Sequence, residues 1–303
     1  MINVINNNND PFFNLALEEY MLKQTPIPGM LLILWQCTPS VITGKNQIPF
    51  QEVDYSYIKK RKIDLVRRIS GGGTVYHDFG NLNFTYILNG SGLYGPDFLF
   101  FAGPIFRCLE ILGIKAEASG HNDLTIGGQK FSGNARYVYK DRILHHGTIL
   151  FDSDLSSLEK ALTPRTEYCS RAIRSVRNRV TNIREKLRTD MDMATFKNLL
   201  IRTIFSYHGA PFLEYRLTGD DLAAVTGLAD AKYRTWEWTY GRSPQFRVQK
   251  EITFAGRRLL VHLTVEKGII TKCAIPSGAS ACEAADTLSR QLSGQRFDRF
   301  LTE

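Results

Sequence analysis

The residue types best suited to chemistry are concentrated between Arg67 and Asn81, in the segment RRISGGGTVYHDFGN. Its three consecutive glycines allow positive backbone φ angles and let a bulky ligand come close to the main chain. Arg67 and Arg68 bring fixed positive charge before the glycines, and His77 and Asp78 follow them. A glycine triplet alone is more often a plain turn. With these neighbours, the segment predicts a site that holds a phosphate or carboxylate and does chemistry beside it.

A second candidate segment, NDLTIGGQKFSGNA at residues 122–135, contains a glycine pair and one lysine. Gly127 and Gly128 predict a two-residue β-hairpin turn. This turn pairs Ile126 with Gln129, Thr125 with Lys130, Leu124 with Phe131 and Asp123 with Ser132. Alternation along the strands then directs Lys130 and Asp123 towards a ligand, while Leu124 and Phe131 pack as core. An exposed hairpin lysine is the commoner alternative, but Gly133 favours close approach of a ligand.

A third segment, HHGT at residues 145–148, contains two adjacent histidines. Side-chain alternation along a strand puts His145 on one face and His146 with Thr148 on the other. The two histidines therefore cannot serve one site, and one of them is expected to be structural. Neither a second cluster of metal-ligand residues nor a Gly-Xaa-Ser-Xaa-Gly motif accompanies them, so neither a zinc site nor serine catalysis is predicted.

Hydrophobic periodicity predicts the elements that would position these segments. Asp10 and Pro11 mark the start of an amphipathic helix. Further helices are expected within residues 96–113, 153–162 and 190–207 and from about Cys282 to Leu292, with strands at 31–36, 81–88 and 141–151. A loop is expected at 38–47 and a poorly patterned stretch at 214–235. After WEWTYG, two strands between 251 and 276 and the last helix indicate a compact C-terminal module.

Composition indicates one large and one small globular domain, because 303 residues with 43% hydrophobic and 22% charged side chains can bury a sizeable core. The cysteines at positions 37, 108, 169, 273 and 282 lack disulfide-framework or metal-ligand spacing, which favours a reducing compartment. No signal-peptide pattern and no long apolar run is evident. We therefore expect a cytoplasmic protein without membrane contact.

The formal net charge is +8, from 38 basic and 30 acidic side chains. Much of the excess lies between Arg171 and Arg188, in RAIRSVRNRVTNIREKLR. This balance is compatible with a nucleic acid, a nucleotide or an acidic protein partner. A solvated basic face is the simpler explanation for a charge run alone.

In this order, RRISGGGTVYHDFGN, GHNDLTIGGQKFSGNA and HHGTILFDSDL resemble signature blocks of the lipoate–protein ligase A family, and SVRNRVTN and WEWTYG match later parts of it. The resemblance implies an α+β fold, with a class II synthetase and biotin ligase-like catalytic domain built on a mixed sheet over residues 1–235. A small C-terminal α/β accessory domain over residues 236–303 would follow. It also implies two steps, in which lipoate and ATP give lipoyl-AMP and pyrophosphate and a lysine of an acceptor protein then takes the lipoyl group.

The resemblance assigns roles residue by residue. Lys130 would contact the carboxyl oxygen and the α-phosphate without forming a covalent bond. ATP and the adenylate would be bound by Arg68, Gly73, Thr74, Val75, Tyr76, Asn122, Asp123 and Lys130. Lipoate would be bound by Leu15, Leu17, Glu18, Trp35, Gly71, Gly72, His77, Lys130, His146 and Thr148. Mg²⁺ would arrive with the triphosphate, because hard cations prefer oxygen ligands, and no protein metal site is expected.

The expected partners are lipoyl domains of 2-oxoacid dehydrogenase complexes or the glycine cleavage H protein. These acceptors are acidic by family resemblance, so the arginine run predicts their docking surface. One alternative is a lipoyl- or octanoyltransferase of the same fold, which would omit adenylation or use a cysteine; Cys169 lies at no recognisable catalytic position, and the C-terminal module favours the ligase. A nucleic-acid-binding protein would use the arginine run, but it leaves Lys130 and the glycine triplet unexplained. The preference between lipoate and octanoate stays open.

Overall fold

The computed structural model describes residues 1–24, 29–89, 96–120, 122–164, 168–170, 172, 179–254, 256–275 and 282–301. The helices are Pro11–Lys23 (α1), Pro49–Glu52 (α2), Tyr55–Lys60 (α3), Phe98–Ile111 (α4), Leu155–Ala161 (α5), Met193–Tyr207 (α6), Gly219–Leu228 (α7), Trp236–Thr239 (α8), Cys282–Leu292 (α9) and Phe297–Phe300 (α10). The strands are Ile2–Ile5 (β1), Met30–Trp35 (β2), Ser40–Thr43 (β3), Asp64–Arg67 (β4), Val75–His77 (β5), Asn81–Leu88 (β6), Glu117–Ser119 (β7), Asp123–Ile126 (β8), Gln129–Tyr139 (β9), Arg142–Leu150 (β10), Tyr168–Ser170 (β11), Leu213–Arg216 (β12), Phe246–Phe254 (β13), Arg257–Glu266 (β14) and Ile269–Ala274 (β15).

The largest sheet has the strand order β12-β1-β2-β6-β10-β9-β8-β7. β12, β1 and β2 are parallel, whereas β2, β6, β10, β9, β8 and β7 pair antiparallel, so the sheet is mixed, as predicted. Helices α4 and α6 share one hydrophobic cluster with this sheet, and α1 and α7 share another. Because both faces are covered, the central strand β6 is buried along its whole length.

Helix α1 begins as its sequence predicts. Asp10 accepts a hydrogen bond from the main-chain N–H of Phe12, and Pro11 occupies the first helical turn. Leu15, Leu17 and Glu18, which carry predicted roles, are all buried on this helix. Since α1 packs against the same sheet that carries β10, it can cover a site formed by that strand.

A three-stranded sheet of order β4-β3-β5 carries the glycine-rich segment, which connects β4 to β5. The prediction of a loop at residues 38–47 was wrong for the middle of that stretch, since Ser40–Thr43 forms the central strand of this sheet. In the sequence SVIT, Val41, Ile42 and Thr43 are all β-branched. Such a composition fits a buried strand. The strands at the two ends of the glycine segment, β4 and β5, therefore both pair with β3.

The stretch at 214–235 is more ordered than its polar composition predicted. It contains most of β12, helix α7 and a π-helical turn at Ala229–Tyr233. Thr218 and Asp221 form a reciprocal capping box at the start of α7. The sequence did not predict α7 because only Asp221 and Val225 of this helix are buried. Its stability depends on packing against α1.

The C-terminal module has three consecutive antiparallel strands, β13, β14 and β15, where two were predicted. β11 pairs with the edge of this sheet, so a segment of the large domain joins the module. The helix Cys282–Leu292 lies where it was expected. In the described part of the chain, no helix is both long and apolar enough to cross a membrane.

A third hydrophobic cluster joins the module to the three-stranded sheet. At its centre the ring of Phe50 lies 5.3 Å from that of Tyr240 and 5.0 Å from that of Phe297. Aromatic pairs at such distances add to the stability gained by burying their surface. The module is therefore packed on the part of the large domain that carries the glycine segment.

Candidate functional site

The backbone of the glycine segment is held in shape by Arg68. The guanidinium donates hydrogen bonds to the carbonyl oxygens of Ile42 (3.0 Å), Gly71 (2.7 Å) and Gly73 (2.7 Å) and to Ser70 Oγ (3.1 Å). Gly72, between two of these carbonyls, has φ +86°, a left-handed conformation that favours glycine. Burial lowers the pKa of Arg68 to about 10, so the side chain still carries its charge at neutral pH.

Arg67 points the other way and does not serve a ligand, so the prediction that both arginines charge the site was wrong for this one. Its side chain is fully buried and donates hydrogen bonds to the carbonyl oxygens of Gly44, Lys45, Gln47, Trp238 and Thr239 and to Ser243 Oγ. Successive side chains on a strand face opposite sides. Arg67 therefore ties the glycine segment's strand to the entry of the C-terminal module.

The hairpin of β8 and β9 forms with the predicted turn, since Gly127 and Gly128 have φ angles of +56° and +76°. The two residue pairs next to the turn, Ile126 with Gln129 and Thr125 with Lys130, are as predicted. A β-bulge then shifts the register, so Leu124 pairs with Ser132 and Asp123 with Gly133. The predictions for those two pairs were wrong, because turn residues carry no information about a bulge further along the strands.

Lys130 is fixed at the centre of this arrangement. Its Nζ lies 2.8 Å from Asp123 Oδ1, and its side chain is 25% exposed. Its main-chain N–H donates to Arg179 O (2.8 Å), and its carbonyl accepts from Thr181 N–H (3.0 Å). A Cβ at Gly133 would lie 3.0 Å from Lys130 Cε and Nζ. The glycine therefore makes room for the lysine itself, a different reason from the predicted approach of a ligand.

A cavity of about 260 Å³ lies between the glycine segment, the hairpin and the large sheet. Its lining residues are Leu15, Trp35, Ile42, Arg68, Gly72, Gly73, Thr74, Val75, His77, Asn83, Asn122, Asp123, Lys130, Gly133, Asn134, Ala135, His146, Gly147 and Thr148. The apolar members come mainly from α1, β2, β3 and β5, and the ionic pair comes from the hairpin. The cavity thus has an apolar region and a charged region, as a site for a fatty acid-like carboxylate requires.

A second cavity, of about 780 Å³, adjoins the first. Thr74, Val75, Lys130 and Thr148 line both cavities. The remaining wall comes from α2, α5, Tyr76, β9 and Arg179. A ligand in each cavity would therefore meet its neighbour at Lys130.

The structure brings most of the predicted site residues to these two cavities. Of the predicted ATP and adenylate residues, Arg68, Gly73, Thr74, Val75, Asn122, Asp123 and Lys130 line the first cavity, and Tyr76 lines the second. Of the predicted lipoate residues, Leu15, Trp35, Gly72, His77, Lys130, His146 and Thr148 line the first cavity. Leu17, Glu18 and Gly71 do not line either cavity; Leu17 and Glu18 are buried, and Gly71 is half-buried.

Glu18 is hydrogen-bonded to His146, which lines the first cavity. Its carboxylate accepts from His146 Nδ1 at 3.0 Å and from Thr85 Oγ1 at 2.5 Å, and it is 1% exposed. The other ring nitrogen, His146 Nε2, lies 2.7 Å from Ser70 Oγ, which also accepts from Arg68. This continuous chain of buried hydrogen bonds holds His146 rigidly against the cavity.

The two adjacent histidines face opposite sides of β10, as predicted. His145 faces away from the cavity and stacks on Phe101, with ring centroids 4.0 Å apart and planes 5° from parallel. Burial lowers its pKa to about 3, so it is neutral at physiological pH. His145 is therefore the structural member of the pair, and His146 is the member at the cavity.

Several wall residues carried no signal strong enough to single them out from the sequence. Asn83 and Asn134 line the first cavity from β6 and β9, and Arg179, Gln51 and Glu52 line the second. Arg179 was visible only as a member of the arginine run. Among the described residues, no three His, Cys, Asp or Glu side chains are grouped so that they could hold a metal ion.

Residues 10–205, which form most of both cavities, match the family model of the lipoyl protein ligase A/B catalytic domain. The chain belongs to this family. Residues 243–300 match the bacterial lipoate protein ligase C-terminus. Over 269 residues the chain is 42% identical to lipoate–protein ligase 1 of Staphylococcus aureus (strain Mu50 / ATCC 700699), a match that covers 88% of this chain and 81% of that protein.

Two solved structures share the fold. P. falciparum LipL1 in complex with lipoate is 26% identical with a TM-score of 0.68, and the match covers 97% of this chain and 90% of that one. A lipoate–protein ligase A bound with ATP is 28% identical with a TM-score of 0.68, and the match covers 78% and 97% of the two chains. The predicted membership of the lipoate ligase family and the predicted fold class are confirmed.

For this member of the ligase family, replacing Gly44 with alanine should displace the glycine segment. A Cβ at Gly44 would lie 2.2 Å from the carbonyl oxygen of Gly72, which is main chain and cannot move alone. We expect Gly44→Ala to weaken lipoate and ATP binding about tenfold or more, because small misplacements of binding groups are costly. Titration calorimetry with each ligand measures this effect.

The matched control is Gly227→Ala in α7, where an added Cβ meets nothing within 4 Å. It should bind both ligands as the unmodified protein does. Unchanged affinities in Gly44→Ala would mean that the segment does not form the binding wall.

Proposed function

We propose that this protein is an ATP-dependent lipoate–protein ligase, which activates lipoate as lipoyl-AMP and transfers the lipoyl group to a lysine of an acceptor protein. The observation that carries the proposal is the position of Lys130, at the wall common to the two cavities and 2.8 Å from Asp123. The membership of the family and the relatives named for lipoate and ATP support the same assignment.

In the first step, a lipoate carboxylate oxygen attacks the α-phosphorus of ATP, and pyrophosphate leaves with the electrons of the broken P–O bond. Two anions must approach each other, so fixed positive charge and correct positioning lower the barrier most. Lys130 supplies that charge from the shared wall. Its ion pair with Asp123 and its main-chain bonds to Arg179 and Thr181 limit where the ammonium group can move.

In the second step, the amine of an acceptor lysine attacks the lipoyl carbonyl carbon, an amide forms, and AMP leaves. The mixed anhydride supplies the driving force, so no enzyme nucleophile is needed. Cys169, the residue considered for a cysteine-dependent transferase, is an exposed residue on β11. The match to the ligase C-terminus supports the ligase over that alternative.

The apolar region of the first cavity is assigned to the lipoate chain, and the charged region of that cavity together with the second cavity is assigned to ATP and the adenylate. Leu15, Trp35, Ile42 and Val75 suit the dithiolane and methylenes, since each buried CH₂ contributes roughly 0.8 kcal/mol. The larger cavity adds Arg179, a cation suited to the phosphates. The residue roles assigned by family resemblance belong to this proposal.

Mg²⁺ bound to the triphosphate also belongs to the proposal. The Asp123 carboxylate in the first cavity and the Glu52 carboxylate in the second are hard oxygen donors of the kind that this ion prefers. When bound, the ion would neutralise phosphate charge.

Acceptors would be lipoyl domains of 2-oxoacid dehydrogenase complexes or the glycine cleavage H protein. In the arginine run proposed to dock them, Arg171, Arg174 and Arg177 lie outside the described residues. Arg184 is paired with Asp152 and Asp190 and is a structural member of the run.

We also propose that the protein is cytoplasmic, which the four free thiols among the described cysteines support. We further propose that the chain is divided into a catalytic domain at residues 1–235 and an accessory domain at residues 236–303.

Pyrophosphate release tests the proposal. The protein with ATP and Mg²⁺ should release pyrophosphate when lipoate is added and not when biotin is added, without any acceptor domain. Adding an acceptor domain should then give a lipoyl-lysine amide and AMP. Acyl transfer to the acceptor domain in the absence of ATP, or no pyrophosphate release with either lipoate or octanoate, would contradict the ligase assignment.

A further inference from the structure

A third cavity, of about 510 Å³, lies between the edge of the large sheet and helix α6. Its wall includes parts of β1, β2, α6 and β12. Leu34 and Ile201 in this wall belong to the hydrophobic cluster that contains α4 and α6. Among the described residues, none that lines this cavity lines either of the other two. A ligand here would therefore occupy a site separate from the one proposed for lipoate and ATP.

The wall of this cavity contains a buried amide, from Asn3 on β1. Asn3 is 4% exposed, and alternation along the strand directs its side chain away from Val4, which packs with α1. Within the described part of the chain, the side-chain amide has no hydrogen-bond partner. A buried amide without a partner is unfavourable. A ligand with a hydrogen-bond acceptor would remove this cost.

Lys197 on α6 adds a positive charge to the same wall. The residue is half-buried, and its side chain makes no salt bridge or hydrogen bond with any residue that the structure describes. Burial lowers the pKa of Lys197, and no described carboxylate offsets this effect. The wall therefore combines an unpaired cation with an unpaired amide.

The remaining charges of the wall do not neutralise Lys197. Arg202, further along α6, is exposed and adds a second positive charge. Glu214 on β12 is also exposed, and its carboxylate lies 3.7 Å from the guanidinium of Arg216. Two cations against one carboxylate leave the wall with a net positive charge, which favours an anionic ligand.

The composition of the wall favours a carboxylate with a short hydrocarbon tail over a phosphate. A carboxylate matches the single charge of the half-buried Lys197 and can accept a hydrogen bond from the Asn3 amide. A phosphate dianion would need a second cation inside the wall, whereas Arg202 is exposed. Leu34 and Ile201 are buried and offer apolar surface to a tail.

We propose that this third cavity is a binding site for a small carboxylate with an apolar tail. Lys197 pairs with the carboxylate, Asn3 donates an N–H to it, and Leu34 and Ile201 contact the tail. The inference does not depend on the ligase assignment, because the described residues of this site are separate from those of the first two cavities.

Isoleucine methyl NMR tests the site with butyrate as the probe, at constant ionic strength and with lipoate in excess. The δ1 methyl signal of Ile201 should shift with a dissociation constant of about 1 mM. The signal of Ile42, in the first cavity, should not shift with butyrate. n-Butanol, which has the tail without the charge, and methyl phosphate should both bind more weakly than butyrate.

Variants of the two polar residues should separate binding from a structural role. Lys197→Met should weaken butyrate binding about tenfold or more, and Lys197→Arg should restore most of the affinity. Asn3→Leu should weaken it about threefold to tenfold. Lys272→Met, at an exposed position on β15, is the matched control and should bind as wild type does. Without butyrate, Lys197→Met should melt no lower than wild type, because the charge that it removes has no partner.

An Ile201 signal that does not respond to butyrate, or that responds equally in Lys197→Met, would overturn the inference. Equal affinity for n-butanol would do the same, because it would show an apolar cavity without an anion site, and tighter binding of methyl phosphate would refute the carboxylate. A melting temperature of Lys197→Met that falls by more than about 5 °C would also contradict the inference, since the lysine would then be structural. Failure to release pyrophosphate with lipoate would leave the Ile201 response to butyrate unchanged, so it would refute the ligase assignment alone.

Discussion

Replacing Lys130 with alanine is expected to lower the rate of lipoyl-AMP formation by about two to three orders of magnitude. The side chain is 25% exposed and lies at the wall shared by the two cavities, where the carboxylate and the α-phosphate would meet. Removing it takes away the positive charge that offsets their repulsion. Single-turnover formation of lipoyl-AMP, with lipoate and ATP saturating, measures the loss.

The fold should survive this substitution, because a partly exposed ion pair contributes at most about 1 kcal/mol. Lys115→Ala is the matched control, since Lys115 Nζ is 3.2 Å from Glu117 Oε1 and its side chain is 88% exposed. It should adenylate lipoate at the normal rate. Near-normal adenylation by Lys130→Ala with an unchanged melting temperature would remove the lysine from its proposed role.

The largest effect on stability is expected from Arg67→Met. The guanidinium is fully buried and donates to carbonyl oxygens of five residues, from Gly44, Lys45 and Gln47 on one side and Trp238 and Thr239 on the other. Methionine fills part of the space but removes the guanidinium donor from these acceptors. Gly44 O keeps the hydrogen bond from Gln47 N–H (3.1 Å), and each acceptor that is left unsatisfied costs about 1–3 kcal/mol. We expect a loss of about 4 kcal/mol, or a fall in melting temperature of about 10 °C.

Thermal unfolding followed by circular dichroism tests this expectation. Arg184→Met is the control, because Arg184 is 41% exposed and pairs at the surface with Asp152 and Asp190. It should cost less than about 1 kcal/mol. A similar small effect for Arg67→Met would show that water or neighbouring donors replace the guanidinium.

Local signals in the sequence predicted much of the fold, because they act between residues a few positions apart. Asp10 and Pro11 start α1, and Gly127 with Gly128 form the predicted hairpin turn. Alternation separated His145 from His146 correctly. In each case the local backbone conformation is determined by residues that are close in sequence, and tertiary packing does not change it.

The sequence could not separate neighbours whose roles depend on distant parts of the chain. Arg67 and Arg68 look alike in the sequence, yet one binds the carbonyls of residues 171 and 172 positions away and the other holds the glycine segment. The bond between Glu18 and His146 spans 128 positions. Such contacts are properties of the packed sheet, and no motif of adjacent residues encodes them.

The third hydrophobic cluster limits how freely the two domains can be separated. It includes Val41 and Tyr76 from the large domain and Phe246, Val261 and Phe297 from the C-terminal module. Tyr76 also lines the second cavity, so the module forms the backing of a cavity wall. If the large domain and the C-terminal module were produced as separate chains, each would expose this shared apolar surface to water. The C-terminal module is therefore part of the folding unit, and a truncated protein would lose support for the wall of the second cavity along with the module.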